Sequence, residues 1–490
     1  SITETLTNSD DTQGYVAYTI TPWTLDASSN QKCSGTPIED TVWVEPTARV
    51  SVSPVNDTIC DGDNVSITLS SPTSSTNGVR FSYTTEAPPG VVVTPGSGTG
   101  LTTGTPITDA IANSTDAAQL VSFIVTPYTL NATGGQKCTG VNDTAFIWVE
   151  PRPMVVGTPA KDTICTGDAT SILLTTITSS TNGVEFNYTS TASDASIGGN
   201  GTGTLTPGQS ITETLTNSDD TQGYVAYTIT PWTLDASSNQ KCSGTPIEDT
   251  VWIDPTPMVV ATPAKDTICT GDATSILLTT VTSSTNGVEF NYTSTASDAS
   301  IGGNGTGTLT PGQSITETLT NSDDTQGYVA YTITPWTLDA SSNQKCSGTP
   351  IEDTVWIDPT PMVVATPAKD TICTGDATSI LLTTVTSSTN GVEFNYTSTA
   401  SDASIGGNGP VTLTPGQSIT ETLTNSDDSQ GYVAYTITPW TLDASNNQKC
   451  SGTPIEDTVW VDPTPMVVAT PAKDTICTGC LLYTSPSPRD

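Results

Sequence analysis

No histidine occurs among the 490 residues, and only 13 are basic against 50 acidic, a net charge of −37 at neutral pH. Without imidazole, the Ser-His and Cys-His nucleophilic systems are excluded. The shortage of lysine and arginine excludes a nucleic-acid partner, because phosphate binding needs clustered cations. It also argues against anionic membrane surfaces. No run of 18 apolar residues exists, so no helical membrane span or membrane insertion is expected. Aromatics make up only 6%, and high charge with few aromatics is a disorder signature. Here, however, apolar residues alternate and Trp and Tyr recur at fixed places, which points to folded domains.

What the chain does contain is a repeat of 104 residues. PMVVATPAKDTICTGDATSILLTT starts at Pro257 and again at Pro361, and self-similarity at a fixed period outranks other signals. The resulting division is a partial repeat at 1–47, a divergent repeat at 48–152, repeats at 153–256, 257–360 and 361–464, and the start of a further one at 465–479. The opening SITETLTNSDDTQGYVAYTITPW matches 210–232, so the chain begins partway through a repeat. Residues 480–490, CLLYTSPSPRD, match no other part and resemble a translated sequencing adapter from an environmental assembly. They are excluded from fold reasoning.

Within 257–360, PMVVATP and DTIC read as a split first strand, followed by a Gly271-Asp272 turn and TSILLTTVTS. Alternation places Phe290 and Tyr292 on one face of VEFNYTST, and Val329, Tyr331 and Ile333 on one face of GYVAYTITPWTL. About seven short strands separated by Gly, Asn, Asp and Pro turns predict an all-β, immunoglobulin-like sandwich. The joints, such as Asp358-Pro359-Thr360-Pro361, are short and proline-containing. Tandem sandwiches stacked as a linear, semi-rigid rod are therefore expected.

The ICTGD turn, the Y-T-I-T-P strand and the closing KCSGTPIEDTVWIDPTP together resemble the PKD-like repeats of large secreted Bacteroidota surface proteins. That resemblance implies adhesins, gliding-related proteins or extracellular filaments, often exported by the type IX system. The sorting domain such export requires is not in this sequence.

Setting aside Cys480, ten cysteines alternate at intervals of 27 and 77 or 78 residues. Evenly placed pairs imply disulfides in an oxidising compartment. The candidates are Cys60, Cys138, Cys165, Cys242, Cys269, Cys346, Cys373 and Cys450. A zinc site would need closely spaced Cys pairs or His. Two pairings stay open: within a repeat, as Cys60 with Cys138 and Cys165 with Cys242, or between facing ends of neighbours. The within-repeat pairing is favoured.

The adjacent acids Asp323 and Asp324 have the composition of a glycosidase pair, but they lie in a turn that recurs in each complete unit, so no enzyme is expected. Turn acids Asp272, Asp323, Asp324 and Asp339 are the candidates for calcium, although no twelve-residue calcium loop is present; no cofactor is expected. Asp-Thr followed by Ile, Val or Ala resembles the O-glycan acceptor of exported Bacteroidota proteins, which marks Thr41, Thr58, Thr144, Thr163, Thr250, Thr267, Thr354, Thr371, Thr458 and Thr475. The competing reading is strand chemistry, since Thr favours strands.

The leading functional expectation is the structural repeat region of an extracellular, cell-surface fibre, stalk or adhesin, with copies of itself as partners and a glycan coat. The alternative is a multivalent carbohydrate-binding array holding a surface glycan. Exposed aromatic platforms, with Trp336 and Trp356 as candidates, discriminate between the two.

Overall fold

The computed structural model describes all residues except 160, 408, 469–477 and 480–490. Thr475 and most of the expected further repeat therefore lie outside the described residues. The chain divides into two compact units between Pro255 and Thr256. Among the described residues every element is a β-strand, and no helix is long and apolar enough to cross a membrane.

In the second unit, residues 257–360 build one sandwich. The larger sheet runs in the order Lys265–Cys269, Ile351–Asp358, Gly327–Leu338, Val288–Ala296, Thr306–Leu309, with Gln344–Ser347 folded back on Gly327–Leu338. A smaller sheet holds Val260–Thr262, Ile276–Thr279 and Ser314–Ile315. The split first strand is thus real: its first half pairs antiparallel with Ile276–Thr279, while its second half crosses to the other sheet and runs parallel to Ile351–Asp358. TSILLTTVTS contributes only the short Ile276–Thr279 strand. Gly271 has φ +92 in the turn that follows Cys269, a conformation that suits glycine.

Strand alternation decides what is buried. Val329, Tyr331, Ile333 and Phe290 are fully buried, and Tyr292 packs beside them half-buried. The Tyr331 hydroxyl donates to Glu317 Oε2 at 2.8 Å, which satisfies the one polar atom of a ring otherwise surrounded by Leu319, Val355 and Ile357. Repeats 153–256 and 361–464 carry the same core, and 48–152 builds an equivalent one around Phe81 and Phe123. In 1–47 the described strands are Gly14–Ile20 paired with Ile38–Val44, and Trp23–Leu25 paired with Gln31–Ser34.

One buried acid recurs. Asp249, Asp353 and Asp457 each have a buried Oδ2 with no hydrogen-bond partner, and burial raises each carboxyl above its usual range. In the divergent repeat the equivalent Asp143 Oδ2 accepts the Val52 N–H at 3.0 Å. A carboxyl raised on folding favours the native state in its protonated form. That stability is present below the unfolded value and is lost as pH rises through the folded one. Asp353→Asn should therefore stabilise its domain at pH 7 by about 1 kcal/mol, the scale of one orphaned buried acceptor, and the gain over wild type should vanish on acidification. Calorimetry of both proteins across pH checks this; a gain that persists at low pH contradicts it.

Candidate interdomain junction

The geometry of the larger sheet fixes where the cysteines lie. Cys269 pairs in register with Asp358 at the outgoing end of the last strand. Cys346 sits in the hairpin strand Gln344–Ser347, which precedes that strand's first residue, Ile351. The eight residues of Ile351–Asp358 separate the two by about 25 Å at ~3.3 Å per residue, whereas bridged Cα atoms lie within about 7 Å. A within-repeat bridge is ruled out on distance.

The bonds cross from one repeat to the next instead. Cys60 joins Cys242 with Cα atoms 5.6 Å apart, and Cys269 joins Cys450 at 5.5 Å. These bonds replace the expected Cys60–Cys138 and Cys165–Cys242 pairings. Cys33, Cys138 and Cys373 are free thiols, so Cys138 and Cys373 are not bridged in this chain. A non-reduced tryptic digest should show the Cys60 peptide linked to one beginning CSGT, with the CTGVNDT peptide of Cys138 unlinked. A Cys60–Cys138 link would overturn the assignment.

Around each bridge the junction is hydrogen-bonded. In the second unit Asp358, fully buried, accepts from Gln326 Nε2 at 2.7 Å, Ser388 Oγ at 2.8 Å and Thr441 Oγ1 at 3.1 Å. The last two belong to the following repeat. Its Oδ2 also lies 3.9 Å from the bridged Cys450 Sγ. Burying a carboxylate carries a desolvation cost that hydrogen bonds offset, and Ser388 and Thr441 of the neighbouring repeat supply such bonds to Asp358. Backbone bonds extend the contact: Ser387 N–H donates to the Asp324 carbonyl at 2.8 Å and Gln326 N–H to the Ser387 carbonyl at 2.9 Å. Lys449 Nζ donates to the carbonyl of Thr267.

In the first unit Glu150 holds the position of Asp358 and is also fully buried, but only its Oε1 is bonded, accepting from the Thr181 backbone N–H at 3.2 Å and from the Thr181 hydroxyl, while Oε2 has no hydrogen-bond partner. Ser179 N–H donates to the Asp116 carbonyl at 2.8 Å, and Lys241 Nζ bonds the Thr58 carbonyl. Between 1–47 and 48–152, Glu45 accepts from Gln13 at 2.9 Å and Ser75 at 2.8 Å, while Lys137 forms an ion pair with it at 3.3 Å. The joints are therefore built interfaces as well as proline-containing linkers.

The other marked residues have local roles. In nine described Asp-Thr pairs the aspartate Oδ1 accepts the N–H of its own threonine, at 2.7–2.9 Å. Thr41 and Thr371 are exposed, while Thr58, Thr144, Thr163, Thr250, Thr267, Thr354 and Thr458 are half-buried. Asp339 accepts the N–H groups of Ser341 and Asn343, both at 2.8 Å, and the Asn343 backbone bond holds its carboxyl below the usual range. Asp272 accepts the Cys269 N–H at 3.2 Å, and Asp323 Oδ1 accepts the Asp324 N–H at 2.8 Å. Each of these acids caps its own turn. No group of three or more Cys, Asp or Glu side chains able to hold a metal occurs among the described residues.

Trp336 is half-buried. Trp356 is 36% exposed and packs against Tyr328 at 5.0 Å between ring centroids. Tyr224–Trp252 and Tyr432–Trp460 form the same pair at the same distance.

Mixed sandwiches in tandem, each with its own core, define an array of immunoglobulin-like domains. Four stretches, residues 57–153, 162–257, 266–361 and 370–465, match the PKD-like domain family, and the chain belongs to it. No curated protein matches it. Among solved structures it is similar to the human desmocollin-1 ectodomain, at 11% identity and TM-score 0.25 over 94% of this chain and 87% of that one. It is also similar to an E-to-A variant of titin domains I67–I69, at 8% and 0.30 over 64% and 98%, and to domains 1–6 of surface layer protein SbsC, at 12% and 0.20 over 85% and 55%.

Proposed function

We propose that this chain is a load-bearing, non-catalytic repeat segment of a secreted bacterial surface fibre, stalk or adhesin. The observation that carries the reading is the bridge between successive domains, Cys60–Cys242 and Cys269–Cys450. A bond inside a domain stabilises that domain alone, whereas a bond across a joint joins one domain to the next. Joining matters where force acts along the chain, and an oxidising extracellular setting is where such bonds persist. The absence of histidine and the use of the turn acids Asp272, Asp323 and Asp339 as caps support the non-catalytic reading.

Antibodies against the repeats should label intact producing cells, and brief protease treatment of those cells should remove the signal. Labelling that appears only after lysis would overturn the surface placement.

A further inference from the structure

Each unit holds a groove at a bridged junction, and its walls come from two successive repeats. In the second unit it has a volume of about 600 Å³, with Asp266 and Trp356 from one repeat facing Asn390 and Asp443 from the next. In the first unit the groove measures about 450 Å³, and Asp57, Trp148, Asn182 and Asp235 occupy the corresponding places. The repeat that supplies Asp57 and Trp148 is the divergent one. There Asn56 stands where the other repeat has Lys265, and Leu120 rather than a tyrosine pairs across from the tryptophan. The tryptophan and the aspartate are retained nonetheless.

We infer that these junction grooves are binding sites for a neutral oligosaccharide. The indole offers a flat apolar face, 36% exposed at Trp356 and 39% at Trp148. A planar amide and two carboxylates surround it, the set of groups that matches the apolar face and hydroxyl rim of a pyranose ring. Charge favours a neutral ligand. In the larger groove Asp266 and Asp443 are offset by Lys265 and Lys449, on a chain whose net charge of −37 repels polyanions. The groove exists only where two repeats are docked, so ligand and junction support one another. Tandem sites would add avidity to weak single contacts.

The site is independent of the load-bearing role and is tested separately. Titration calorimetry of the oxidised full chain with cello-, manno-, xylo- and chitohexaose should show binding of at least one of them. Combined Trp148→Ala and Trp356→Ala should lower the stoichiometry by two sites, with the fold checked by circular dichroism. Asn182→Ala with Asn390→Ala, which removes only a polar contact, should weaken both sites by about tenfold, equivalent to ~1.4 kcal/mol. No binding by the wild-type chain, or stoichiometry and affinity unchanged in both variants, would overturn the assignment.

Discussion

Pulled from points outside residues 60 and 450, the oxidised chain should release less than about 90 Å of hidden length. Reduced, it should release more than about 1,000 Å. The two bridges carry tension directly from Cys60 to Cys242 and from Cys269 to Cys450, so the residues enclosed by each loop feel no load even if they unfold. Only 243–268 remain in the force path, and 26 residues at ~3.5 Å each give the smaller figure. After reduction the whole stretch from 60 to 450 becomes extensible. Single-molecule extension with and without a thiol reductant reads the difference, and equal lengthening in both conditions would refute the cross-domain path. A within-repeat pairing would leave much longer free stretches, so the measurement also separates the two connectivities.

Removing one bridge should cost the joined domain pair up to about 5 kcal/mol by the chain-entropy relation for a loop of this size, the loop between Cys269 and Cys450 spanning a separation of 181 residues. Cys269→Ser should therefore lower the unfolding temperature of the second unit by several degrees and split its transition as the two domains lose their coupling. Differential scanning calorimetry of the full chain, with Cys373→Ser as a control at a thiol that is already free, reads this out. A variant that melts with the wild-type profile would show that hydrogen bonds such as Asp358 to Thr441 couple the domains unaided.

The sandwich was legible because its core is written in alternation: Val329, Tyr331 and Ile333 lie on one face of a strand whose register a buried side fixes. The tryptophans were legible as recurrent residues, but which of them is exposed depends on strand pairing. Trp356 lies opposite Tyr328 on an outer face, while Trp336 sits beyond it near the hairpin. The disulfide pairing was not legible, because intervals of 27 and 77 residues do not say at which end of a sandwich each cysteine falls. That follows from the parallel pairing of Lys265–Cys269 with Ile351–Asp358, a long-range contact with no local sequence signature. Asp358 was read as part of a proline joint for the same reason, since its hydroxyl partners Ser388 and Thr441 belong to the next repeat.

Cys60 has a consequence for biogenesis. Cys138 and Cys165 both follow it in the chain before its true partner, Cys242, 182 residues away. If oxidation outran folding, the nearest thiol would win and the chain would be scrambled. A sandwich that has already folded holds Cys60 and Cys138 at opposite ends, so the native architecture itself proofreads the chemistry. Folding must come first and oxidation second, one domain later, which makes each bridge a record that two consecutive domains were correctly built before they were sealed.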